Sequence, residues 1–277
     1  MYQPFSDRRA NLSANILVFD SGVGGLSILA AVREQLPSAN YCYLFDNARL
    51  PYGELDEQEL IQGCVTLISQ AVAQCQADIV VVACNSASTL ILPALRSCLT
   101  IPVVGVVPAI KPAAALSHKK HLGLLATPGT VNRQYTQDLI DQFASNCRVD
   151  RFGSSELVYL AEDKMAQKPV DREALHRILE PINASGLDTL VLGCTHFPIL
   201  REELQRELGE SVHLLDSSNA IAARVVSLLD ADNSGERGKS RALFTTNTIS
   251  EGLSKTLAAW GFSSATAFND SLMKTGS

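Results

Sequence analysis

Residues 78–86 read DIVVVACNS, and 110 positions further on residues 188–196 read DTLVLGCTH. Each stretch runs from an acidic residue through a short apolar, partly β-branched segment to a small residue, a cysteine and a polar pair. A continuous apolar run of this length, bounded by polar punctuation, marks a strand buried on both faces of a parallel sheet. Cys84 and Cys194 therefore stand where a strand ends and a helix is expected to begin. That is the carboxyl edge of a sheet, where open α/β folds place their ligands.

The repetition extends outward from the cysteines. ILVFDSGVGG, from Ile16, and LGLLATPGTV, from Leu122, each read strand, small polar turn, helix, and their strand ends, Asp20 and Ala126, lie 64 and 68 residues before the respective cysteines. Apolar runs predict strands over 16–19, 41–45, 78–84, 103–107, 122–126, 149–152, 188–194, 212–215, 243–246 and 266–268. Helical spacing fills the intervals: from the Gly22–Gly25 turn to about Leu36, then 56–75, 85–98 and 108–117. One helix is expected from Thr127 to near Ala144, followed by 155–166, 171–184, a helix after Cys194, 220–229 and 250–260. Residues 1–14 read as a polar lead-in, 46–53 (DNARLPYG) as a loop, and 231–240 as a charged surface loop. Such alternation gives an α/β fold with mainly parallel sheets and helices on both faces. The two matched halves predict two similar α/β units facing each other, with Cys84 on one and Cys194 on the other.

Composition narrows the function. At 46 % hydrophobic and 19 % charged residues, the 277-residue chain is globular and large enough for a sizeable core. A net charge of −6 without a basic cluster argues against a nucleic-acid partner. No run of about 20 apolar residues spans a membrane, and Asp20 interrupts the first apolar stretch, so no signal-peptide core is present and the cytoplasm is expected. Seven scattered cysteines suit reduced thiols better than a disulfide framework.

A small buried hydrophobe accounts for Cys42, Cys64, Cys75, Cys98 and Cys147. Cys84 and Cys194 differ, because helix-start amides should favour their thiolates and lower their pKa from about 8.5 toward neutral. No Cys-x2-Cys pair accompanies Cys194-x-His196, so no metal site is expected. Asp20-Ser21 reads either as a helix cap or as a functional pair at a sheet edge. The glycine turn lacks the third glycine of a dinucleotide fingerprint, and a carboxylate at Asp20 would repel a pyrophosphate, although Asp46 falls where a ribose-binding acid would be expected. His196 is a proton-transfer candidate beside Cys194. Asn85, Ser86 and Thr195 either cap helices or hold a small polar ligand, and helix N-termini bind carboxylates without any arginine. Glu162, within LVYLAEDK, reads as an ordinary helix-surface acid.

Taken in order, FDSGVGGLSIL, DNARLPYG, ACNSAS, VVGVVPAI, GLLATPGTV, LGCTHFPIL and LLDSSNAIA resemble the glutamate racemase family, of the cofactor-independent Asp/Glu racemase superfamily, over most of the chain. The resemblance implies racemisation of L- and D-glutamate without a cofactor, supplying D-glutamate for peptidoglycan. It implies a first domain of 1–108 with 217–277 returning to it, a second of 109–216, and a homodimer. By motif, Cys84 and Cys194 are the two acid/base residues, Asp20 assists Cys84, and His196 and Glu162 assist Cys194. Asp20, Ser21, Tyr52, Gly53, Asn85, Ser86, Thr195 and His196 would line the substrate. Ser86 stands where the family usually has Thr, and Glu162 follows LA where the family tends to read LV. Some enzymes of this family need a peptidoglycan precursor as activator, and the resemblance leaves that open. An aspartate or hydantoin racemase, a nicotinamide enzyme and a non-catalytic amino-acid-binding protein are the rival readings. A substrate panel, NAD binding and thiol alkylation would distinguish them.

Overall fold

The computed structural model describes residues 13–229 and 236–268. The expected lead-in over 1–14 and the loop over 231–240 therefore lie largely outside the described residues. Ten strands form among those described: β1 (Asn15–Asp20), β2 (Asn40–Phe45), β3 (Ile79–Val82), β4 (Val103–Gly105), β5 (His121–Ala126), β6 (Arg148–Gly153), β7 (Thr189–Leu192), β8 (His213–Leu215), β9 (Ser240–Phe244) and β10 (Ser264–Ala267). The helices are α1 (Leu26–Gln35), α2 (Glu57–Cys75), α3 (Asn85–Cys98), α4 (Ile110–Leu116), α5 (Pro128–Asn132), α6 (Gln134–Phe143), α7 (Glu156–Met165), α8 (Arg172–Ser185), α9 (Arg201–Leu208), α10 (Ser218–Val226) and α11 (Glu251–Ala259).

The strands form two sheets, ordered β10-β9-β2-β1-β3-β4 and β6-β5-β7-β8, and every pairing is parallel. Within them β2-β1-β3-β4 and β6-β5-β7-β8 follow the same course, so the repeat seen in sequence is a repeat of topology. In each, the strand order reverses beside the first-formed strand (β1 or β5), the switch point at which α/β sheets open a crevice. β3 and β7, which lead to the two cysteines, flank those points.

Burial follows the period of two. Ile16 and Val18 of β1 enter one apolar cluster while Leu17 and Phe19 enter another on the opposite face. In β7, Leu190 and Leu192 join one cluster and Val191 the other. Both sheets are thus covered on both sides, and each fully buried aliphatic side chain contributes roughly 1.5–3 kcal/mol. The repeated acid before each cysteine strand has a structural task. Asp78 accepts the Asn15 amide at 2.8 Å, whereas Asp188 accepts the Ser117 hydroxyl at 2.5 Å and the Lys119 amide at 2.7 Å. Each carboxylate ties its strand to the entry of the neighbouring one. These bonds outweigh the cost of burial at Asp188 and hold its carboxyl below the usual range.

Four sequence expectations are corrected. The helix expected from Thr127 to Ala144 breaks at Arg133, whose backbone is extended (φ −71°, ψ 145°) while its guanidinium reaches Ser86 O and Thr89 Oγ1, both at 2.6 Å. A 3-10 turn over Phe197–Leu200, with Pro198 near its start, separates Cys194 from α9. The strand expected over 243–246 is β9 at 240–244, registered Tyr41 to Ser240, and Thr245 and Thr246 instead bond to Asn47. Finally, Cys42 and Cys75 are paired, with Cα atoms 6.5 Å apart, so the cysteines are not all independent thiols. Cys64, Cys84, Cys98, Cys147 and Cys194 are free; Cys64 is buried as expected, whereas Cys98 is exposed and Cys147 half-buried, so neither is a buried hydrophobe.

Candidate active site

The carboxyl edges of the two sheets meet over a narrow cleft lined by Ser21, Pro51, Tyr52, Gly53, Cys84, Asn85, Ser86, Thr127, Val158, Cys194, Thr195 and His196. Only about 10 Å³ is free in it, room for a single water molecule. Neither Lys nor Arg is among these lining residues.

On one wall, Asp20 ends β1 and is fully buried. Its Oδ2 accepts the Gly25 amide at 2.5 Å and the Thr195 hydroxyl at 3.4 Å, while Oδ1 has no partner among the described residues. Burial raises its pKa to about 6, against the opposing pull of the His196 charge and the Ser21 and Gly25 amides. Cys84 caps α3, its Sγ 3.8 Å from Ser21 Oγ and within hydrogen-bonding reach of Asp20. The expectation of a lowered thiol pKa is corrected here. Burial, then the Asp20 charge, pushes the Cys84 thiol well above its ordinary value, and the Ala87 amide of the helix start only partly offsets this.

The other wall is built differently. Where the first half has Asp20 at a strand end, the second has Ala126, so the partner acid comes from a helix. Glu162 of α7 accepts from His196 Nε2 at 2.8 Å, and His196 Nδ1 lies 3.8 Å from Cys194 Sγ. Burial alone would lower the His196 pKa. The hydrogen bonds and charges of Cys194 and Glu162 outweigh it and hold the imidazole well above its usual value. A cation is thereby kept beside the Cys194 sulfur, where it stabilises negative charge.

Glu162 also accepts the Val23 amide at 2.8 Å, and Ser27 Oγ donates to Thr195 O at 3.1 Å, so the first half's turn presses directly on the second half's site. A Cβ on Gly22 would run into Glu162 Oε1, and one on Gly24 would lie 2.6 Å from the His196 backbone nitrogen. These glycines provide clearance for the facing wall. They do not cradle a dinucleotide.

Every residue expected to line the substrate lies at the cleft except Asp20, which sits just behind it, while Glu162 stands behind His196. The hydroxyl of Tyr52 is committed to Asp46 at 2.5 Å. Sequence reasoning missed Pro51, Val158, Thr127 and Thr130. Ser86 Oγ lies 3.1 Å from both Thr127 Oγ1 and Thr130 Oγ1, joining the walls through hydroxyls. The repeat could have revealed Thr127, because aligning ILVFDS with LGLLAT sets it opposite Ser21.

Two facing α/β halves, each presenting one cysteine at its switch point, define a class, and comparison with known proteins agrees. Residues 26–225 match the Asp/Glu/Hydantoin racemase family model, and the chain belongs to that family. It lies on the glutamate racemase branch. It is 89 % identical to the glutamate racemase of Shewanella loihica over 96 % of this chain and 100 % of that one. It is 61 % identical to that of Shewanella denitrificans over 91 % and 97 %. Among solved structures, that of Escherichia coli glutamate racemase with L-glutamate and the activator UDP-MurNAc-Ala superposes with a TM-score of 0.87 at 44 % identity, covering 93 % of this chain and 98 % of that one.

Proposed function

We propose that this chain interconverts L- and D-glutamate by two-base proton transfer at Cα, supplying D-glutamate for peptidoglycan in the cytoplasm. The observation that carries the mechanism is the unlike pairing of the two buried sulfurs: Cys84 with Asp20 and Cys194 with the His196–Glu162 pair. Cys84, its thiol pushed up by burial and the Asp20 charge, serves as the acid toward L-glutamate, while Cys194, beside the His196 imidazole, serves as the base. Cys194 then removes the proton of L-glutamate from one face while Cys84 delivers one to the other. The exchange of roles leaves the enzyme set for D-glutamate. With no Lys or Arg lining the cleft, the two carboxylates are held by Ser21, Ser86, Thr127 and Thr195 hydroxyls and by backbone amides. The partnerless Oδ1 atoms of Asp20 and Asn85 are acceptors for the substrate ammonium.

Residues 1–108 with 217–277, and 109–216, act on this reading as two domains that close on the substrate. The family resemblance adds a homodimer and a peptidoglycan-precursor activator, which sedimentation and rate measurements with UDP-MurNAc-Ala would test. The central experiment starts from L-glutamate in heavy water. Early D-glutamate should carry deuterium at Cα while recovered L-glutamate stays largely unlabelled, with the converse from D-glutamate. Unlabelled product, its proton returned by the base that removed it, would overturn the two-base reading. Racemisation of aspartate or a hydantoin in preference to glutamate would overturn the substrate.

A further inference from the structure

Asp46 follows β2, is 2 % exposed and is not among the residues lining the cleft. Its carboxylate is nonetheless a junction. Oδ2 accepts the Tyr52 hydroxyl at 2.5 Å and Arg49 Nε at 2.6 Å, while Oδ1 accepts the Thr245 hydroxyl at 2.7 Å. Arg49 lies over the Tyr52 ring, 5.6 Å from its centroid. Thr245 and Thr246 come from the distant end of the chain, directly after β9, which runs beside β2. Thr245 Oγ1 also accepts the Ala48 amide at 3.1 Å. Asn47 Oδ1 accepts the amides of Thr245 and Thr246 at 3.1 and 3.2 Å, and Asn47 Nδ2 donates to Thr246 Oγ1 at 2.8 Å. The loop so gripped delivers Pro51, Tyr52 and Gly53 to the cleft, whereas none of the residues lining it comes from 240–268.

We propose that Asp46 is a positioning residue for substrate binding. It pins the Tyr52 phenol and thereby sets the backbone of residues 51–53 against the cleft, with Thr245 as the outer jaw of the clamp. Hydrogen bonds to an ionised acceptor are the stronger and more directional kind, which suits a part that must hold a loop in register. The phenol is spent on the clamp, so Tyr52 meets the substrate through its ring and main chain. The C-terminal segment thus tunes a binding wall it does not line.

This inference rests on the glutamate reading, and the test separates the two. Asp46→Asn, Thr245→Val and Tyr52→Phe each remove part of the junction, and Thr245→Val is nearly isosteric at a half-buried position. The KM for both L- and D-glutamate should rise about tenfold in Asp46→Asn, the scale of one lost charge-assisted hydrogen bond, with kcat little changed. Thr245→Val should shift KM in the same direction by less. The double variant Asp46→Asn/Thr245→Val should raise KM by less than the two single effects combined, because both disturb the Thr245–Asp46 bond, whereas the Ala48 amide's bond is lost with Thr245 alone. Amide exchange over residues 47–55 should quicken in all variants and stay unchanged elsewhere. Unchanged KM in folded Thr245→Val and Tyr52→Phe, a fall in kcat alone, or unaltered exchange of the loop would each overturn the clamp. If Asp46→Asn does not fold, those two variants decide. A wild-type protein inert toward glutamate would reject the functional reading, and loop exchange would still decide the clamp.

Discussion

Asp20 is the residue at which both walls of the cleft converge, touching Gly25 on its own side and Thr195 on the other. Its folded pKa of about 6 lies above the usual value of about 3.9 for an unfolded aspartate. Between those values the folded chain binds the extra proton, so this contribution to stability is complete below the unfolded pKa and is lost as pH rises through about 6. The shift corresponds to about 3 kcal/mol. In urea titrations at pH 4.5 and 8, wild type should lose stability with rising pH relative to Asp20→Asn, which cannot titrate. Parallel profiles would mean that Asp20 stays charged throughout. The same variant can still accept the Gly25 amide, so it should fold while kcat falls by about 10²-fold, the scale of a lost acid–base partner. Cys84→Ser and Cys194→Ser should each abolish racemisation by several orders of magnitude while glutamate binding survives, because a hydroxyl cannot take the thiolate role near neutral pH. Near-wild-type turnover in either would reduce that cysteine to a packing residue.

At the scale of elements, the turn between β1 and α1 decides how closely the two sheets approach. Gly24→Ala would place a methyl against the backbone nitrogen of His196, so the imidazole must move away from Cys194. A displacement approaching 1 Å at a reacting group costs about 10²-fold in rate. Gly24→Ala should therefore lower kcat sharply, with a loss of about 1–3 kcal/mol from overpacking. A melting curve and a rate measurement on one preparation separate these effects, and an unchanged rate would show that the His196 wall yields freely. The strands of this region were legible in sequence because burial on both faces leaves an unbroken apolar run, and the two cysteines were legible from the repeat. What escaped was set by partners distant in sequence. The break at Arg133 depends on acceptors in α3, the start of β9 on its register with β2, and Glu162's contact on α7 docking against the 3-10 turn. Nothing local to 78–86 shows that desolvation will outweigh the helix start at Cys84, since desolvation is a property of the closed cleft.

For the whole molecule, the cleft as it stands has room for about one water molecule, so glutamate binding is expected to go with an opening of its walls. Added sucrose viscosity should lower kcat if this opening limits turnover, and insensitivity would place the limit in proton transfer. The six-stranded sheet is completed only by β9 and β10, with β9 covering the free edge of β2. Deleting residues 236–277 should leave that edge unpaired, together with Asp46 stripped of Thr245, and circular dichroism should then report a misfolded or aggregating chain. A stable, active truncate would mean that β9 is dispensable.

That discontinuity also dictates a timetable during synthesis. β1 to β4 leave the ribosome first, and the entire segment carrying β5 to β8 follows before the strand that belongs beside β2 has been translated. The later-made, four-stranded half is contiguous and can finish first, while the earlier-made half waits with Tyr43 and Phe45 on an uncovered margin. An uncovered strand is a template for pairing with other chains. The crowded polysome, more than the finished protein, is therefore where this architecture is most exposed to aggregation.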